Sequence, residues 1–147
     1  MKRTLLENNE ITLELEDGIV NAKFKLEHFD LQSVQKLVAD RKKAFNGILY
    51  PVIANVISVK SSTKAARDFF ASETGCEGIS ATAVIVNSPV GSIIGNFYIR
   101  ISRPLRPVKL FTDKLKAKKW LVQFIGKGQK NSLDKETKDI KSLLDNE

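Results

Sequence analysis

A chain of 147 residues, 42% hydrophobic and 28% charged, carries enough apolar material for one folded core; this excludes a disordered chain and leaves no room for a second independent domain. Its one cysteine, Cys76, excludes an internal disulfide and a multi-cysteine metal site, fits a reducing compartment, and reads as a buried or idle thiol. The net charge of +7 is concentrated: residues 100–127 hold nine basic groups against the single acid Asp113, and the rest of the chain nearly balances.

The start, Met1 to Leu6, is basic and runs into Glu7-Asn8-Asn9-Glu10 without an apolar stretch, so no secretory signal is expected and the predicted location is cytoplasmic. From Glu10 to Glu16 apolar and polar residues alternate, Asp17-Gly18 follows, and alternation resumes from Ile19 to Lys25, which predicts a β-hairpin. Asp30 then caps a helix with Leu31, Val34, Leu37, Val38 and Phe45 inward, ending at Asn46-Gly47. Its Lys36, Asp40, Arg41 and Lys43 are expected to face water. Tyr50 to Val59 is almost continuously apolar and β-branched, as a strand buried on both faces is.

Ser61-Ser62-Thr63 precede a helix with Ala65, Ala66, Phe69 and Phe70 on its apolar face, stopping near Gly75. A second buried strand runs from Ser80 to Val86, and Ser88-Pro89 opens a third helix through Gly91, Ile94, Gly95, Tyr98 and Ile99. The long apolar stretch from Ala81 to Ile101 includes Asn87, Ser88, Pro89, Asn96 and Arg100, so it reads as core and not as a membrane span. Pro104 and Pro107 break the helix, Val108 to Phe111 forms a last strand, and Thr112-Asp113 caps a helix with Leu115, Trp120, Leu121, Phe124 and Ile125 inward.

The expected architecture is therefore α/β, in the order β-β-α-β-α-β-α-β-α. Its sheet is mostly parallel with an antiparallel N-terminal edge, and helices pack on it. Residues 1–126 are expected to form one domain, and the polar, charge-balanced segment 127–147 a tail or weak helix.

This order, with a Ser/Thr cluster between the third strand and the second helix, resembles the STAS fold of the bacterial anti-sigma-factor antagonists. The stretch Val108-Lys-Leu-Phe-Thr-Asp-Lys-Leu-Lys-Ala-Lys-Lys-Trp-Leu121 is similar to the ending of the STAS/SEC14-like proteins, a largely uncharacterised bacterial group. The resemblance covers residues 9–125 and implies a non-catalytic protein-interaction or regulatory module. In the antagonists a Ser at the start of the second helix, within an Asp-Ser-Ser-Gly type of sequence, is phosphorylated by the anti-sigma kinase. The matching turn here is Val59-Lys60-Ser61-Ser62-Thr63-Lys64, with Lys60 in place of the acid and Thr63 in place of the glycine. Only Ser61 and Ser62 carry over, and the standard phospho-switch motif is not reproduced.

Read physically, Ser61, Ser62 and Thr63 sit where a helix start offers unpaired N–H groups, which suits a phosphate or anion as well as a plain N-cap. Lys60 and Lys64 add positive charge. Arg100, Arg103, Arg106, Lys109, Lys114, Lys116, Lys118 and Lys119 make a basic surface for nucleic acid, an acidic protein or acidic lipid, or else a solvated face. Phe111, Trp120 and Phe124 fall on the apolar side and offer no base-stacking platform. Gly91 and Gly95, with Phe97 and Tyr98, allow either close helix-to-sheet packing or a groove for a small apolar ligand or a second subunit in a homodimer. His28 has no Cys or second His near it and reads as a surface residue before the Asp30 cap. Glu73 and Glu77 bear no mark of a catalytic pair. With no Gly-rich phosphate loop, His-Glu-x-x-His or Gly-x-Ser-x-Gly element, the sequence predicts no enzyme, no metal and no cofactor.

Overall fold

Period-2 alternation produces the hairpin. In the computed structural model, which describes residues 2–87 and 105–126, β2 (Ile11–Glu16) and β3 (Ile19–Phe24) pair antiparallel in unbroken register. Asp17 (φ 54°) and Gly18 (φ 81°) both take positive φ, as a two-residue turn of this twist requires. Gly18 is needed for a second reason, since a Cβ there would lie 2.9 Å from Cγ2 of Ile125. Ahead of the hairpin stands a strand that the sequence pattern does not announce. Lys2–Glu7 forms β1, antiparallel to β2, with a bulge between Thr4 and Leu6. It is an edge strand, and its charges and bulge are features that discourage further pairing.

After the two-residue strand β4 (His28–Phe29), α1 spans Leu31–Phe45. The Ser33 N–H donates to the Asp30 carboxylate at 2.8 Å and the Asp30 N–H donates to the Ser33 hydroxyl at 3.2 Å, a reciprocal cap. These groups hold the Asp30 carboxyl below the usual carboxylate range. At the other end Asn46 is left-handed, as a C-cap should be. Arg41 contradicts its expectation: it is buried, not solvent-facing. Position 41 continues the stripe of Val34, Leu37 and Val38, and the guanidinium donates to the carbonyls of Gly75 (2.8 Å) and Glu77 (3.0 Å). Leu31, expected inward, is 39% exposed in the first turn.

The central strand β5 (Tyr50–Asn55) stops short of Val59, and the chain turns before β6 (Ser61–Ser62), which pairs in parallel with β4. Helices α2 (Lys64–Ala71) and α3 (Glu73–Cys76) follow, then β7 (Ile79–Ile85), β8 (Val108–Phe111) and α4 (Lys114–Leu121), which runs into a 3-10 turn at Val122–Phe124. Ala66 is buried on α2, but Ala65, expected beside it, is exposed. The helix third in the expected order, with Gly91, Gly95, Phe97 and Tyr98, lies outside the described residues, as do Arg100, Arg103 and the segment 127–147.

The main sheet has the order β1-β2-β3-β5-β7-β8, antiparallel through β3 and parallel from β3 to β8. Alternation along the strands separates two cores. One face sends Ile11, Leu13, Val20, Ala22 and Val52 against Val34, Leu37 and Val38 of α1 and Ala66 of α2. The other sends Ile19, Ile53, Ala81, Ala83 and Ile85 against Ala117 and Leu121 of α4. Leu115, expected inward, is 61% exposed, because it lies on the far side of α4 from Ala117 and Leu121. Among the described residues, no helix is long and apolar enough to cross a membrane.

Candidate functional site

The turn before α2 is built by two short strands that bring together residues 33 apart. The Lys60 N–H donates to the Glu27 carbonyl at 2.7 Å and the Thr63 N–H to the Phe29 carbonyl at 2.9 Å, which fixes β6 alongside β4. Beneath them Phe24, Phe29 and Phe70 pack edge to face, with ring centroids 5.3–6.3 Å apart, and tie β3, β4 and α2 into one support.

On this support the three predicted hydroxyls have different roles. Thr63 is the N-cap of α2, its side chain accepting from the Ala66 N–H at 3.1 Å. Half-buried Ser62 accepts from Arg67, whose Nη1 donates to the Ser62 carbonyl at 2.8 Å and to its Oγ at 3.1 Å. Ser61 is exposed, and its Oγ lies 2.6 Å from Nδ1 of His28. In the tautomer with its proton on Nε2, His28 accepts the Ser61 hydroxyl hydrogen. The flanking lysines are each engaged: Lys60 with Glu27 at 3.5 Å and Lys64 with Asp68 at 2.7 Å. Their attraction for an anion is therefore partly cancelled.

Beside this turn a space of about 530 Å³ is bounded, among the described residues, by α1, α2 and one face of the sheet from β2 to β8. Val59, Phe70, Val84, Val108 and Leu110 make its apolar walls, and Lys60, Ser61, Ser62, Asn87 and Arg106 are its polar lining. Asn87 and Arg106 lie close to the two ends of segment 88–104. On the opposite face a more polar groove of about 620 Å³ includes Asn21, Asn55, Thr112 and Lys114.

Of the predicted basic surface, Arg106, Lys109, Lys114, Lys116 and Lys119 are exposed and Lys118 is half-buried. None of the six has a carboxylate partner among the described residues, and Lys109 lies 5.5 Å from the Phe111 ring centroid. Phe111, Trp120 and Phe124 stack on one another and on the α4 core, with centroids 5.8 and 5.1 Å apart. Cys76 is buried, its thiol 3.4 Å from the Phe70 carbonyl. Glu77 pairs with Lys42 at 2.9 Å, away from any carboxylate partnership with Glu73. Among the described residues, no cluster of His, Cys, Asp and Glu is arranged to hold a metal ion.

The contact between His28 and Ser61 escapes sequence reading, which places His28 merely before a cap. Two strands of two residues each leave no periodicity to detect.

A family model described as a domain of unknown function, DUF7793, matches residues 13–125, from within the hairpin to just past the 3-10 turn that follows α4. The chain belongs to that family. Among solved structures, the chain is similar to an uncharacterised protein of the DUF3478 family from Shewanella loihica PV-4 that has a SpoIIAA-like fold. The two share 15% identity with a TM-score of 0.58, over 76% of this chain and 91% of the other. That likeness establishes the fold: a SpoIIAA-like, STAS-like α/β sheet with an antiparallel N-terminal part. No curated protein matches the chain.

Proposed function

We propose that residues 1–126 act as one non-catalytic, cytoplasmic interaction module of regulatory type, which engages a protein partner through the surface around Ser61. The observation that carries this reading is the placement of an exposed serine at the start of α2 of a SpoIIAA-like sheet, on a turn braced by β4 and three phenylalanines. The resemblance to anti-sigma-factor antagonists supports the same surface, because their partner contacts are switched at the matching serine. A charge change at Ser61 is then expected to alter docking.

The test uses the whole chain, wild type and Ser61→Asp, in native mass spectrometry and in capture from a cell extract. A protein partner, or a second copy in a homodimer, held by wild type and released by Ser61→Asp supports the reading. A strictly monomeric chain without a partner, or equal retention by both forms, removes it.

A second reading is favoured by the cations of β8 and α4, which have no carboxylate partner among the described residues and suit an acidic protein surface, nucleic acid or acidic lipid.

A further inference from the structure

The three most exposed large apolar side chains among the described residues are Leu105 (63%), Leu115 (61%) and Val122 (58%), and all fall in the basic part of the chain. A single exposed apolar residue is ordinary on a protein surface, but here two share a stripe with lysines. With Ala117 and Leu121 set against the sheet, the helical period places Leu115, Lys119 and Val122 together on the outer face of α4. Val122 keeps helical backbone, so the stripe continues to it. Lys116 and Lys118 flank the stripe on its two sides.

No carboxylate among the described residues pairs with these lysines. Asp113, the one acid of residues 105–126, is engaged at the N-cap, where it accepts from the Leu115 N–H at 2.8 Å. Lys114 borders the polar groove that includes Glu7 and Glu14, so the cationic face centres on Lys116, Lys118 and Lys119. Because α4 packs on the side of the sheet opposite α1 and α2, its outer face is turned away from the side on which right-handed crossovers run. Phosphate contact with nucleic acid makes no use of two exposed apolar side chains. A bilayer interface uses both kinds of residue: apolar tips enter the acyl boundary, and lysine stems reach back to the headgroups.

We propose that the outer face of α4 docks this protein reversibly on an acidic lipid bilayer, with Leu115 and Val122 entering the headgroup boundary and Lys116, Lys118 and Lys119 meeting the acidic headgroups. The helix lies on the membrane and does not span it. This rests on the second reading above, in which the cations of β8 and α4 meet an acidic partner, and names that partner's chemistry.

The test is co-sedimentation of the full chain with vesicles of phosphatidylcholine alone or with about 30% phosphatidylserine, in about 0.1 M salt. The expected result is retention by the acidic vesicles and little by the neutral ones. A lysine close to an acidic surface contributes about 5-fold in partitioning, so Lys116→Ala with Lys119→Ala lowers it about 25-fold. Leu115→Ser with Val122→Ser lowers it about 10-fold or more. Lys43→Ala, at an exposed position of α1, leaves it unchanged. Circular dichroism melts confirm that each variant is folded. Equal retention by neutral and acidic vesicles, or acidic-vesicle binding that survives Leu115→Ser with Val122→Ser, overturns the proposed docking. Absence of retention by acidic vesicles also overturns it. The basic-surface reading then stands if duplex DNA or poly-glutamate still binds through Lys116 and Lys119, and falls with it if neither does.

Discussion

Arg41 combines a cost and a gain in one side chain. Burial pushes its guanidinium down to about 10, against smaller upward effects of Cys76 and Glu77. A folded value below the unfolded one means that the unfolded chain binds the proton more tightly. Burying the charge therefore opposes folding at neutral pH, and this cost declines only as pH rises past about 10. The two hydrogen bonds to the Gly75 and Glu77 carbonyls offset it and fasten α1 to the α3 turn. That turn cannot adjust freely, because a Cβ on Gly75 would fall 2.0 Å from the Phe69 carbonyl oxygen. Arg41→Met keeps the bulk but leaves two carbonyls without their donor, so it is expected to cost about 2 kcal/mol. At this chain length that lowers the melting temperature by about 4–8 °C. Arg41→Lys, a point donor in place of a fork, is expected to fall between the two. Thermal melts followed by circular dichroism check both, and an unchanged Arg41→Met melting temperature refutes the fastening role.

At the scale of elements, α2 distinguishes structural hydroxyls from an available one. Thr63→Ala removes the acceptor for the Ala66 N–H and is expected to cost about 1 kcal/mol, as a lost N-cap does. Ser61→Ala removes only an exposed contact and should stay within about 0.5 kcal/mol of wild type. Urea titrations of the two variants decide it, and a Ser61→Ala loss as large as that of Thr63→Ala means that the His28 contact is structural. What the sequence made legible here follows from local physics. Asp17-Gly18, the Asp30 and Asp113 caps and the two buried strands each declare themselves within a few residues. What it hid is set by partners distant along the chain. Lys2–Glu7 has no alternation to mark it and is a strand through its pairing with β2. Arg41 sits at an apolar position of α1, but its charge argues for water until the Gly75 and Glu77 carbonyls are known. Leu115 is apolar yet exposed because the small Ala117, not Leu115, sets the side of α4 that meets Ala81 and Ala83.

Across the whole molecule, the lysines divide into compensated and uncompensated sets. Lys2, Lys36, Lys42, Lys60 and Lys64 each lie within 3.5 Å of a carboxylate. Such exposed pairs contribute little to stability, but they cancel one another's field. Lys23, Lys25 and Lys43 have no such partner among the described residues, nor do Lys109, Lys114, Lys116, Lys118 and Lys119, but the last five share β8 and α4 with Asp113 as the one acid of residues 105–126, so the excess positive potential concentrates there. With the nearby aromatic rings packed together, the surface offers charge without base readout. If it binds nucleic acid, it binds phosphate, weakly and without sequence preference. Four lysines neutralising four phosphates on duplex DNA give a log–log salt slope of about −3.6, and replacing Lys116 and Lys119 by Glu should at least halve that slope. Fluorescence anisotropy with two unrelated duplexes, titrated at several salt concentrations across about one decade from ~20 to ~200 mM, measures both quantities. A slope near zero, a strong preference between the duplexes, or no binding at the lowest salt eliminates DNA as the partner of this surface and leaves its charge to an acidic protein or lipid.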